Sequence, residues 1–586
     1  MGKIKKILAG FLILVMTVTL FPSNIISYAA DTGQEQNPYG GQDYFLDASN
    51  GNDNNDGTGK DKAWKTLSMA NQKEFQPGDR ILLKAGEVWQ DQQLRPMGSG
   101  SEGKPITIDM YGDPADGKPY IATNGKVEVP IRGTGDRDKI VEKVGLTGAI
   151  SLRNQQYWEI HNMELSNDDD FNTDITSGMA VRDGIHVSIN ADLLEEGEDN
   201  IMDYFRISDC DIHDIDGPST WQKIHYGGIV FQVFGEKSYR DYGTSGYYFK
   251  DVRIENNTFD RCELHAIQLA FNWFYDRDGS SGETDEAGKY HEGWEQLWVR
   301  SRDLYSRDIY IGNNYAENTG QGAIQLADAK NLVCEYNEVN GFLKRYNQVS
   351  AGLYLWAGCD SVMQFNECYD GPANEYDATP WDLEFTNFNV TYQYNYSHDN
   401  KGGWMSYMGN SSNSIARYNL SINDNGVIWK NMLSTNYSPT YVLNNVFVYD
   451  GSKLQSFHDE VLKDTVYFYN NVFYNTSQTP TNWNRKANGL DKAVFSNNAF
   501  YEASGKKSSN HPKDEHEYFG DPGFAGDPLD YDPKGIGAEN IRDAAKNFRL
   551  EEDSPLIDAG KYVAACGDKD FLGTELKFLA ASRIFS

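Results

Sequence analysis

The chain has 586 residues, 39% hydrophobic, 24% charged and 13% aromatic, with 55 Gly and 37 Tyr. This composition buries a core and excludes collagen, a coiled coil and a disordered tail. Against 53 Lys and Arg stand 86 Asp and Glu, a net charge of -33, which repels nucleic acid and anionic membrane surfaces, so neither is expected as a partner.

Lys3, Lys5 and Lys6 precede an apolar run from Ile7 to Leu20, and small residues follow at Ser27, Ala29 and Ala30. Residues 1–30 therefore read as a secretory signal peptide, and an exported, extracellular, monomeric protein is expected. The apolar run is too short to span a bilayer comfortably, and no second run near twenty residues follows. Residues 31–130 read as an N-terminal segment and cap, and residues 131–586 as the main body with a C-terminal capping segment. In the cap, NGNDNNDG (50–57) resembles a calcium loop only loosely, because no Glu stands twelfth from Asn52. It is read as a turn. The six cysteines (Cys210, Cys262, Cys334, Cys359, Cys368 and Cys566) contain no CxxC pair and are expected to be mostly buried free thiols.

One pattern then recurs down the chain: alternating residues around an asparagine, as in RIENNTF (253–259), YQYNYSH (392–398) and FYNNVFY (468–474). The aligned residues are Asn257, Asn314, Asn337, Asn366, Asn395, Asn419, Asn445, Asn471 and Asn498, and the last seven intervals run from 23 to 29 residues. Two earlier copies put Met163 and Cys210 in the same place, giving about eleven turns. Short β-prone runs at this period, with no helical 3.6 periodicity between them, predict an all-β, single-stranded right-handed parallel β-helix. The asparagines are expected to be structural, each side-chain amide bonding its equivalent one turn away.

A second run follows each asparagine by roughly ten residues, among them HAIQLAF (265–271), GAIQLAD (322–328), AGLYLWA (351–357), WDLEFTN (381–387), GGWMSYM (402–408) and GVIWKNM (426–432). If Ile267, Ile324, Leu353 and Leu383 point inward, alternation sends Gln268, Gln325, Tyr354 with Trp356, Asp382 with Glu384, Trp404 with Ser406, and Ile428 with Lys430 to the outer face.

The cap stretch YFLDASNGNDNNDGTG (44–59), with PGDRILLKAGEVW (77–89) and GKPITIDMYG (103–112), resembles the pectin-lyase-like right-handed β-helix superfamily of secreted carbohydrate-active enzymes. YQYNYSHDNKGGW (392–404), ARYNLSIND (416–424), SPLIDAG (554–560) and KDFLG (569–573) are most similar to β-helix glycoside hydrolases such as family 141. The tail KFLAASRIFS departs from that family's usual ending. The resemblance implies a scaffold shared by hydrolases, lyases and non-catalytic proteins.

Two carboxylates two apart on a strand share a face, and glycoside hydrolysis needs one acid and one nucleophile or base. Asp382 and Glu384 are the first candidates. Glu375, Asp377 and Asp399 lie within reach of the same turn, and His398 would orient a carboxylate or bond sugar hydroxyls. Trp356, Trp381 and Trp404, with Tyr354, Gln268, Gln325 and Lys430, are expected to bind substrate, because aromatic faces stack on pyranose rings while polar neighbours read hydroxyls. Trp273, Trp294 and Trp298, with Tyr275 and Tyr290, lie in a long insertion and are further candidates. The expected activity is hydrolysis of a plant cell-wall or similar polysaccharide, xylan-like, without a cofactor. One alternative is a lyase, in which Asp382 and Glu384 would hold Ca²⁺ and Lys430 is the nearby outward lysine. The other is a non-catalytic carbohydrate-binding β-helix.

Overall fold

The computed structural model describes residues 36–127, 132–133, 140–142, 145–168, 181–195, 200–217, 226–235, 247–271, 305–345, 349–374, 377–384, 387–408, 411–432, 439–452, 455–457, 465–483 and 493–576. The expected signal peptide, Glu375, the five insertion aromatics and the atypical tail lie outside these residues. From Asn37 onward the chain forms one unit. It is a right-handed parallel β-helix whose successive coils stack strand on strand into three parallel sheets of 15, 14 and 10 strands.

The eleven repeats correspond to eleven consecutive strands of the first sheet, from Trp158–His161 to Ala493–Ser496. Three strands precede them, Asp43–Leu46, Arg80–Lys84 and Ile106–Tyr111, and one follows, Asp514–Glu515. The segment read as a cap thus carries coils of its own, without the asparagine motif. NGNDNNDG forms a turn in which Asp53 accepts from the backbone N–H groups of Lys65 and Thr66 at 2.8 and 2.9 Å.

The asparagines form one continuous ladder. Each Nδ2 from Asn257 to Asn471 donates to the Oδ1 of the next asparagine at 2.9–3.0 Å, and each backbone N–H donates to that same oxygen. Asn498 ends the ladder on the Asp514 carboxylate at 2.6 Å. The residue before each asparagine is left-handed, for instance Asn256, Tyr336, Phe365, Tyr394 and Tyr418 with φ of 51–59°. Asparagine tolerates that region readily, which accounts for the repeated Asn-Asn pairs. Where the bend residue is aromatic, the rings of Tyr336, Phe365, Tyr394 and Tyr418 stack one coil on the next at 5.0–5.7 Å.

Inside, the third sheet stacks Ile185, Ile229, Ile267, Ile324, Leu353, Trp381, Met405 and Trp429 in register. All six cysteines are buried with free thiols. Beyond Phe519 the chain turns back along the second sheet: Ile536 N–H donates to Glu367, Tyr531 OH to Asp399 and Tyr394 OH to the Lys569 carbonyl. No helix among the described residues is long and apolar enough to cross a membrane.

Candidate active site on the third sheet

The outer face of the third sheet carries one unbroken column, each residue in register with the next: Ser151, His186, Val230, Gln268, Gln325, Tyr354, Asp382, Ser406 and Lys430. Asp382 stands in the three-residue strand Trp381–Leu383. That strand is pinned from within, because the core residue Tyr392 donates its hydroxyl to the Asp382 carbonyl at 2.6 Å and accepts from Leu355 N–H at 3.1 Å. Glu384 follows the strand, and its carbonyl accepts from Ser411 Oγ at 2.8 Å.

The bend before the strand brings in Asp377. Ala378 there is left-handed, with φ of 43°, and a Cβ on Gly402 of the next coil would lie 2.0 Å from the Ala378 carbonyl oxygen. Only glycine permits so close an approach. Lys430 reaches back two coils to donate from Nζ to the Asp377 carbonyl at 3.1 Å. Asp377, Asp382 and Lys430 are each at most 3% exposed.

Burial and mutual repulsion shape the protonation of this cluster. Burial first, then the charge of Glu384, pushes the Asp377 carboxyl up to about 8, with Lys430 opposing. Asp382 is driven well above the carboxylate range by burial, by Glu384 and Asp377, and by a side-chain hydrogen bond with Glu384. Two carboxyl groups bond to each other only if one holds a proton, so the bond with Glu384 acts with burial to favour a protonated Asp382. Burial lowers the Lys430 ammonium to about 8, against the pull of Asp377 and Asp382. Asp377 Oδ1 and Asp382 Oδ1 are buried with no hydrogen-bond partner, as is Gln268 Oε1. Gln268 Nε2 donates to Gln325 Oε1 at 2.6 Å, and Ser350 Oγ donates to Tyr354 OH at 3.3 Å.

The structure thus gathers Gln268, Gln325, Tyr354, Asp382, Glu384 and Lys430 on one face and adds Asp377. The other expected site residues lie elsewhere. Trp381 and Trp404 belong to the core, each 1% exposed. Trp381 shares the inward phase of Leu383, and Trp404 packs against Trp429 and Phe447 with ring centroids 6.3 and 4.6 Å apart. Counting by twos back from Ser406 fails at Trp404, because the strand is Met405–Met408 and Trp404 lies in the bend before it, where alternation does not hold. Ile428, also expected outside, is 3% exposed in the core. Trp356 ends its strand half-buried against Tyr305, Ala357 and Cys359.

His398 and Asp399 lie on and just after a strand of the second sheet, Tyr396–His398. His398 bonds Glu367 from Nε2 at 3.3 Å and Asp399 from Nδ1 at 3.0 Å. Among the described residues no three His, Cys, Asp or Glu side chains are placed to hold a metal ion.

No protein-family model matches the chain. It is 27% identical over 621 aligned residues to a lacto-N-biosidase of Bifidobacterium longum subsp. longum, an alignment covering 96% of this chain and 38% of that protein. The chain thus spans under two fifths of this relative's length. A shorter stretch of 119 residues, 19% of the chain and 20% of the relative, is 29% identical to alpha-1,3-galactosidase A of Akkermansia muciniphila. Among solved structures, the GH136 lacto-N-biosidase from Eubacterium ramulus superposes with a TM-score of 0.59 at 23% identity, covering 73% of this chain and 67% of its own. The shared fold is the parallel β-helix. The motif resemblance pointed to family 141, whereas this solved neighbour carries the designation GH136.

Proposed function

We propose that the chain is a glycoside hydrolase of the lacto-N-biosidase type, with its chemistry at Asp377, Asp382 and Glu384. The observation that carries this is a pair of buried carboxyl groups, Asp382 on the outer column and Asp377 in the bend before it, each with an oxygen left unpaired. A buried polar atom without a partner costs about 1–3 kcal/mol, and a substrate hydroxyl or glycosidic oxygen supplies the missing partner. The raised carboxyl of Asp382 holds the proton that the leaving oxygen needs, and a neighbouring carboxylate serves as nucleophile or as base toward water. Lys430 supplies the positive charge that keeps the cluster from neutralising completely. Likeness to the Bifidobacterium enzyme over nearly the whole chain supports the substrate class.

The test is incubation of the purified protein with 4-nitrophenyl lacto-N-bioside, lacto-N-tetraose and xylan, followed by product analysis. Release of a disaccharide from the first two supports the proposal, and new reducing ends from xylan alone replace the substrate class. An unsaturated uronide from uronate polymers, abolished by chelator, would establish the lyase alternative. Carbohydrate binding without any product would favour the non-catalytic reading.

A further inference from the structure

The outer column continues past the carboxylates in one direction with side chains that the cleavage chemistry does not use. Tyr354 is one coil from Asp382, Gln325 two and Gln268 three. Parallel strands are spaced about 4.8 Å, so Gln268 stands roughly 14 Å along the helix from Asp382. One sugar ring at the carboxylates cannot reach that far, whereas an oligosaccharide lying along the column can.

The two glutamines are 2% and 6% exposed. The Gln268 amide is held in place through its Nε2, which donates to Gln325 Oε1 at 2.6 Å. Its Oε1 is buried and accepts nothing. A glutamine placed only for packing would have both ends satisfied or be replaced by an apolar residue of like volume. A fixed amide with a vacant acceptor instead suits a ligand that brings a donor, such as a sugar hydroxyl or an acetamido N–H.

Resting on the glycosidase reading above, we infer that Gln268, oriented by Gln325, forms a remote subsite that binds a hydrogen-bond donor of a sugar unit two or three rings from the cleaved bond. The subsite contributes to binding and not to the chemical step.

The test compares the full-length protein with its Gln268→Leu and Gln325→Leu variants on 4-nitrophenyl lacto-N-bioside and on lacto-N-tetraose. Loss of one neutral hydrogen bond of about 1–1.5 kcal/mol corresponds to a KM raised about tenfold in Gln268→Leu, with kcat within twofold. Gln325→Leu, which frees the Gln268 amide without removing it, raises KM less. A KM effect on both substrates places Gln268 against the released disaccharide, and an effect on the tetrasaccharide alone places it against the leaving part. Unchanged KM on both substrates, or a fall in kcat at unchanged KM, overturns the subsite while leaving the glycosidase reading intact. Should the unsubstituted protein hydrolyse neither substrate, the glycosidase reading fails, and titration calorimetry with lacto-N-tetraose decides the subsite separately. A Kd about tenfold weaker for Gln268→Leu upholds it, and no difference or no binding to either protein overturns it.

Discussion

Two clusters of buried ionisable groups sit on different sheets of neighbouring coils, and they differ in whether their carboxyl oxygens are all bonded. On the second sheet His398 is fully enclosed, its imidazole bonded to Glu367 and Asp399 and stacked between Tyr369 and Tyr396 at 4.6 and 4.8 Å. Those same carboxylates also accept from Ile536 N–H and Tyr531 OH of the returning C-terminal segment. On the third sheet Asp377 and Asp382 each keep an oxygen that nothing fills. Buried acids and a base occur in both, so composition does not separate a clasp from a reaction site. The carboxylates differ: those around His398 are bonded on both oxygens and clasp the C-terminal segment, whereas Asp377 and Asp382 are not.

The strongest way to break this contrast is Asp382→Asn. Turnover should fall by about 10³-fold or more, while the melting temperature stays level or rises, because a buried acid with an unpaired oxygen is removed. Full activity in this variant would move the reaction off the third sheet.

His398→Gln should show the opposite pattern, with reduced stability and retained turnover. The imidazole is raised to about 9 because its bonds to Asp399 and Glu367 outweigh burial. A raised value contributes stability that is complete below the ordinary 6.5 and is lost as pH climbs through about 9. The difference amounts to roughly 3 kcal/mol. Urea unfolding at pH 6 and pH 10 measures it: the unsubstituted protein should lose this margin at pH 10, whereas His398→Gln should lack it at both.

Lys430→Met sharpens the electrostatics of the open cluster. Lys430 opposes the upward displacement of Asp377 and Asp382, so its removal raises both further. The limb on which kcat/KM falls with rising pH should then move upward by about one pH unit, equivalent to about 1.4 kcal/mol. A downward move would contradict the assigned sign.

The smallest effect is expected for Tyr531→Phe, which deletes one hydrogen bond to Asp399. About 1 kcal/mol of stability should be lost, with faster proteolytic nicking of the C-terminal segment and no change in turnover.

What was legible in the sequence follows from local geometry repeated many times. An asparagine at each inward bend needs the same partner in every coil, so its interval of 23 to 29 residues already describes the coil and the ladder. Strict alternation within a strand likewise puts Gln268, Gln325, Tyr354, Asp382 and Lys430 on one face, because successive side chains of a pleated strand must point to opposite sides. The same rule, carried consistently, turns Trp381 inward with Leu383. The tertiary structure alone decided what alternation does not govern. Left-handed Ala378 and the close-packed Gly402 swing Asp377 into the cluster, Trp404 falls in the bend before its strand, and a segment more than 130 residues farther along the chain returns to the His398 network. These outcomes depend on bends and on distant chain folding back, and neither leaves a periodic trace in the residues themselves.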